Sequence, residues 1–198
     1  MTSAAAPAEL GQADSPRKRE LLEASYAYAL ANGLADLSLR PLAKAIGSSP
    51  RVLLFLFGSK DGLMRALLAR ARQDELAALA ALRTRQEHAT LADTGREVWA
   101  WLVAPSHRAL LSLWLEGYAR SLRGEPGPWE RFAAETVDDW LTLLAAAQPA
   151  VRRRTRAGEA ERTLLLAVLR GALLDVLATG DADRASRAVE RYLDTLVA

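Results

Sequence analysis

LSLRPLAKAIGSSPRVLLFLFGSKDGLMRALL, residues Leu37–Leu68, is the stretch whose reading decides the fold. Ser38 stands where a hydroxyl caps a helix, and Pro41 falls in the tolerant opening turn. Leu39, Leu42, Ala43 and Ile46 recur at three- and four-residue intervals and form one apolar face. Gly47 supplies a turn. Ser49 then caps a second helix whose first position is Pro50, where a missing N–H costs least. Leu53, Leu56 and Phe57 give this second helix its own inward side, and Gly58-Ser59 ends it. Two short helices around a tight glycine turn read as a helix-turn-helix, whose second helix commonly enters the major groove of DNA.

The rest of the chain supports that reading. Its 198 residues, 51% of them apolar, suffice for one or two domains with real cores. It has no cysteine, which excludes a disulfide framework, a thiol nucleophile and a cysteine metal site. The start lacks the pattern of a signal peptide, and no apolar run approaches membrane-spanning length, so the expected location is the cytoplasm. A net charge of +2 says little by itself. Its distribution says more: residues 17–60 carry seven basic side chains against three acidic ones, and the remainder is slightly acidic. A basic head on a nearly neutral body suits a modest nucleic-acid contact; a solvated basic face would produce the same count.

Residues 1–15 are rich in Ala, Ser and Pro without periodicity and read as a disordered arm. A helix is expected from Pro16, with Leu21, Leu22, Tyr26, Ala29 and Leu30 inward and Asn32-Gly33 as its stop. The pattern after Ser59 predicts a long helix to about Thr84, a rod between head and body. Further helices are expected over Thr90 to about Ala104, Ser106–Arg123, Trp129–Ala147, Glu159–Ala178 and Ala182–Val197. The separators are Pro105, the Gly-Glu-Pro-Gly-Pro breaker at 124–128, Pro149 with an Arg-rich connection, and Thr179-Gly180-Asp181. No alternating strand pattern is present. The expected fold class is all-α, about nine helices, with a head over 16–68 and a body over 69–198.

In this order the residues resemble the TetR family of bacterial transcriptional regulators. Gly47-Ser48-Ser49 at the turn, Leu53, Phe57, Gly58, Ser59-Lys60-Asp61 and Leu63 carry the resemblance over residues 17–70. The segment LLAVLRGALLDVLATGD, residues 165–181, with Arg184 after it, is similar to the family's C-terminal helices. The resemblance implies a dimer of nine-helix subunits with an effector cavity in the body, and repression relieved by ligand as the usual behaviour. One departure stands out. Family members usually carry tyrosines late in the recognition helix, where a phenol reaches phosphate; here Leu54, Phe55 and Leu56 occupy that place. Thymine methyl contacts then replace part of the anchoring, or phosphates are held elsewhere.

Base edges are expected to meet Ser49, Pro50, Arg51, Val52 and Phe55, with Leu54 flanking. Arg51 alone offers a fork for guanine, worth about 1–3 kcal/mol of discrimination; a phosphate contact is its other use. Arg40 and Lys44, four apart, suit phosphates or a base edge. Lys60 opens a helix at the end where the dipole disfavours a cation, which points to a phosphate partner. Ser38 and Ser48 complete the DNA-contacting set. Arg17, Lys18 and Arg19 add salt-sensitive attraction or simply solubilise the start.

The body holds all five tryptophans between positions 99 and 140. Trp99, Trp114, Tyr118, Phe132, Thr136, Asp139 and Trp140 are the candidate effector contacts, since large aromatics with a few polar groups line small-molecule cavities. An apolar or aromatic effector follows; ordinary core packing is the alternative for each aromatic. On the last two helices Leu165, Val168, Leu169, Ala172, Leu173 and Val176 form one stripe, and Val189, Tyr192, Leu193 and Leu196 another. A helix apolar over so much of its circumference needs neighbours on several sides. The expected neighbour is a second copy, giving a twofold dimer and a pseudo-palindromic operator; burial within the chain's own body is the alternative for about half of the stripe.

An enzyme is disfavoured. His88 and His107 belong to no ligand-spaced Glu-x-x-His pair, and no phosphate-cradling glycine loop or serine nucleophile motif is present. No metal or cofactor is expected. The competing class is a helical interaction protein that has lost specific DNA binding, which the apolar second helix of the motif makes credible.

Overall fold

The computed structural model describes residues 15–34, 37–84 and 90–196. Residues 1–14 of the arm expected over 1–15, His88, and Val197 at the expected end of the last helix lie outside the described residues, whereas Ser15, the last residue of that expected arm, caps the first helix. Among the described residues there are ten α-helices, two short 3-10 turns and no strand. They divide into two compact units with the boundary between Leu67 and Leu68.

The first unit contains α1 (Pro16–Asn32), α2 (Leu39–Ala45), α3 (Pro50–Phe57) and the start of α4 (Lys60–Thr84). Hydroxyl caps fix where three of these helices begin. Ser15 Oγ accepts from Lys18 N–H (3.2 Å), Ser49 Oγ from Val52 N–H (3.3 Å) and Ser59 Oγ from Gly62 N–H (2.9 Å). Pro16 and Pro50 take the first helical positions, where no N–H is missed. Ser38 holds the cap position of α2, but its side chain makes no capping bond. Gly47, at φ +63°, turns the chain between α2 and α3 in a conformation other residues rarely adopt. Leu21, Tyr26, Ala29, Leu42, Leu53, Phe57 and Leu63 close over one another as the core of the unit. Leu22, Leu30, Leu39, Ile46 and Leu56, also expected inward, are half-buried.

The second unit is built on α9 (Arg156–Thr179), against which α5 (Leu91–Val103), α7 (Phe132–Ala146) and α10 (Ala182–Leu193) pack; α6 (Arg108–Leu122) lies on α7. Thr90 and Asp93 start α5 with reciprocal bonds, Asp93 N–H to Thr90 Oγ1 (3.1 Å) and Thr90 N–H to Asp93 Oδ2 (3.0 Å). Several boundaries differ from the sequence expectation, each for a local reason. Pro105–His107 tightens into a 3-10 turn, so α6 begins at Arg108. Helix α7 begins at Phe132 rather than Trp129, its Ala133 N–H donating to Ser121 Oγ across the turn (3.0 Å). The Arg-rich connection contains a one-turn helix, α8 (Ala150–Arg153). Arg153 donates there to the carbonyls of Ala146 and Gln148 (3.1 Å each), which satisfies the end of α7. Thr155 Oγ1 accepts from Gly158 N–H (3.0 Å) and starts α9 three residues earlier than expected. The last helix gives way to a 3-10 turn at Asp194.

Close approach explains one glycine of the motif. A Cβ placed on Gly62 would stand 2.0 Å from the Phe57 carbonyl oxygen, backbone that cannot swing aside. Gly62→Ala is therefore expected to destabilise the first unit by about 2 kcal/mol, as forced overpacking does. Chemical denaturation followed by far-ultraviolet circular dichroism tests this; an unchanged transition would show that the α3–α4 junction yields.

Candidate functional site

Two places gather the chemistry. The first is the outer face of the helix-turn-helix. Arg40 and Lys44 on α2, Arg51 on α3 and Lys60 at the start of α4 are all exposed. Among the described residues none of the four has an ion-pair partner. Arg17 and Lys18 are engaged within the unit, Arg17 with Glu20 (2.8 Å) and the Lys18 ammonium 5.7 Å from the centre of the Phe57 ring. The exposed side of α3 is otherwise apolar: Val52, Leu54 and Phe55 stand 37%, 41% and 65% exposed. Pro50 is half-buried and Ser38 exposed. Ser49 is occupied as a cap, and the Ser48 hydroxyl turns inward and is buried, so it offers nothing to a partner outside.

The second place lies inside the body. A cavity of about 20 Å³, one water site in size, is walled by Trp114, Trp140, Glu75, Arg170 and leucines of α5, α6 and α9. Its polar groups come from four helices. Trp140 Nε1 on α7 donates to Glu75 Oε1 on α4. Arg170 on α9 donates to the Tyr118 hydroxyl on α6 (3.1 Å), and its guanidinium carbon lies 5.2 Å from the Tyr118 ring centre and 5.8 Å from that of Trp114. Burial pushes the Glu75 carboxyl up to about 7; the Trp140 hydrogen bond opposes the rise, Asp139 adds to it, and Arg170 and Arg72 counter it. Burial likewise lowers Arg170 from the ordinary arginine value, against the pull of Tyr118 and Glu75.

The aromatic cluster expected from the sequence is thus divided. Trp114 and Trp140 line the cavity, and Tyr118 adjoins it through Arg170. Trp99 does not: its indole donates to Ser186 Oγ (2.9 Å) where α5 meets α10. Phe132 packs toward Gly117, and the Thr136 hydroxyl is spent on the Phe132 carbonyl (2.7 Å). Asp139 accepts from Arg72 (2.7 Å), which also pairs with Glu135, so it is bound into a surface clamp. His107 stacks on Trp101 with ring centres 4.5 Å apart. Glu75 and Arg170 were missed. Glu75 stands in a charged run with Arg70, Arg72 and Asp74, whereas Arg170 stands alone among apolar residues, and only the packing of α4 and α9 reveals that they line the interior.

The stripes expected to face a second copy also need correction. Leu165, Leu169, Leu173, Val176, Val189 and Leu193 are buried inside this chain's own core. Val168, Ala172, Tyr192 and Leu196 are half-buried. A stripe so wide meets two surroundings, and the sequence could not say which side faces in. The outward side of α9 presents Leu164 and Leu174, 54% and 47% exposed, with Ala167 and Gly171 between them. Among the described residues no helix is long and apolar enough to cross a membrane, and no cluster of three or more His, Asp or Glu is placed to hold a metal ion.

No protein-family model and no curated protein matches the chain. Solved structures do. A TetR transcriptional regulator from Legionella pneumophila superposes with a TM-score of 0.70 at 16% identity, over 92% of this chain and 98% of that one. A TetR-family regulator from Agrobacterium tumefaciens gives 0.71 at 17%, over 91% and 97%. The multidrug binding protein EbrR, solved with imidazole, gives 0.66 at 27% identity, over 92% of both chains. The chain has the fold of the TetR-type transcriptional regulators.

Glu75 makes the body sensitive to pH. A carboxyl whose folded pKa is raised contributes stability that is full below its unfolded value near 4.5 and lost as pH rises through about 7. The loss is on the order of 3 kcal/mol. Urea midpoints are expected to fall between pH 5 and pH 8 in the native chain and to flatten over that range in Glu75→Gln. A native profile already flat would remove the buried charge from the account.

Proposed function

We propose that the chain is a TetR-family transcriptional regulator, a cytoplasmic dimer that binds a pseudo-palindromic operator and leaves it when a small apolar or aromatic effector enters the body. The carrying observation is the capped helix-turn-helix with Arg40, Lys44, Arg51 and Lys60 exposed on it. Arg51 reads a base edge, and the other three hold phosphates. Val52, Leu54 and Phe55 take the thymine methyl contacts left open by the missing tyrosines. The effector acts by binding one state of the dimer better than the other, since only differential affinity shifts DNA occupancy. Likeness to EbrR, solved with both imidazole and proflavin, supports a ligand-binding body.

A second reading, a dimeric interaction protein without specific DNA binding, is favoured by the same exposed Leu54 and Phe55. Fluorescence anisotropy on duplex DNA from upstream of the chain's own gene separates the two. The regulator binds that duplex more tightly than random duplex, and affinity falls steeply with salt. Arg51→Ala lowers specific affinity about tenfold, whereas Lys60→Ala weakens specific and random duplex alike. Equal, weak binding to both duplexes supports the second reading.

The dimer is assigned to the outward side of α9. Leu164→Glu combined with Leu174→Glu is expected to give a monomer in sedimentation velocity with helical content retained. A dimer that survives both changes puts the interface elsewhere.

A further inference from the structure

Trp114 is nine-tenths buried, and its indole N–H has no hydrogen-bond partner among the described residues. The same is true of the buried Nη2 of Arg170, on the same cavity. Arg170 and Glu75 border the same cavity without forming an ion pair among the described residues, although the Arg170 charge partly offsets the effect of burial on Glu75. Two buried donors and a positive charge therefore border a small, almost wholly apolar space whose other walls are leucines, tryptophan rings and the Glu75 carboxyl. We propose that the effector is an aromatic carboxylate, its ring against Trp114 and Trp140 and its oxygens accepting from Arg170 and Trp114 Nε1.

The ligand class rests on the effector-cavity reading above and adds a charge to it. A carboxylate satisfies a guanidinium fork and a neighbouring N–H together, which a neutral ring cannot do. A cation would pair with Glu75 but would stand beside Arg170 and leave both donors unmet. At about 20 Å³ the cavity holds one water-sized group, so this ligand requires the side chains around it to move apart. Glu75 faces Trp140 and Asp139 on α7, Arg170 on α9 and Arg72 on α4. An arriving anion adds a second negative charge, so Glu75 takes up a proton on binding, and affinity falls as pH rises through 7.

Calorimetric titration of the full chain with 2-naphthoate, naphthalene and 2-naphthylmethylammonium tests the proposal. The expected order places 2-naphthoate about tenfold tighter than naphthalene, with the ammonium weakest. Arg170→Met should bring 2-naphthoate down to the affinity of naphthalene while leaving naphthalene unchanged. Trp114→Phe should weaken 2-naphthoate alone by a smaller factor, and Glu75→Gln should remove the pH dependence of its binding. Naphthalene or the ammonium binding as tightly as 2-naphthoate overturns the carboxylate and leaves the effector cavity standing. If none of the three binds, the cavity reading falls with it.

Discussion

Helix α9 must be covered on more than one side, and the second unit is arranged to do it. Leu165, Leu166, Leu169, Leu173 and Val176 are buried along it, beneath α5, α7 and α10. At about 2 kcal/mol for each fully buried aliphatic side chain, this single contact line contributes roughly 10 kcal/mol to the apolar stabilisation of the body. Gly95 shows how tightly it closes: a Cβ there would stand 2.6 Å from a Leu193 methyl and 3.3 Å from a Leu165 methyl. Arg170 rides in the middle of the same helix. It is carried to the interior because the leucines on either side of it in sequence go there, and it therefore needs ring faces and a phenol around its charge.

The first unit depends on a different economy. Its helices are short, and α2 and α3 have too few residues to persist alone. Serine caps, proline starts and glycine turns set their ends, while Leu42, Leu53 and Phe57 join them. This division of labour leaves the outer side of α3 without a structural duty. That side is where Arg51, Leu54 and Phe55 are found.

Legibility in the sequence followed the same division. Caps and breakers are local, so α1 to α4 could be placed almost to the residue from Pro16, Ser49, Pro50, Ser59 and the glycines, although Ser15 was read into the arm and Ser38 makes no capping bond. The all-helical class and the principal helices of the body were equally plain. What failed was direction. Leu169 and Leu173 read as an external stripe because apolar spacing does not say which neighbour covers it. Trp99 read as a cavity residue because its partner, Ser186, lies 87 positions away. Glu75 and Arg170 carried no local signal at all, and their burial is a property of how α4 and α9 are packed rather than of the residues around them. The one-turn helix α8 was hidden for a related reason: its arginines serve the carbonyls of Ala146 and Gln148, bonds that composition cannot show.

The ties between α4 and α7 come in two layers. Arg72 clasps Glu135 and Asp139 at the surface, and three residues further along α4 Glu75 receives the Trp140 indole in the interior. Asp139 and Trp140 are consecutive, so both ties grip the same turn of α7 from opposite depths. The outer one is ionic and loosens with salt, whereas the inner one is sheltered from ions and answers to the protonation of Glu75. Two helices fastened in this way have an outer seam and an inner latch that respond to different stimuli. The body thus holds two ties of different sensitivity, one to ionic strength and one to protons, within one helical turn.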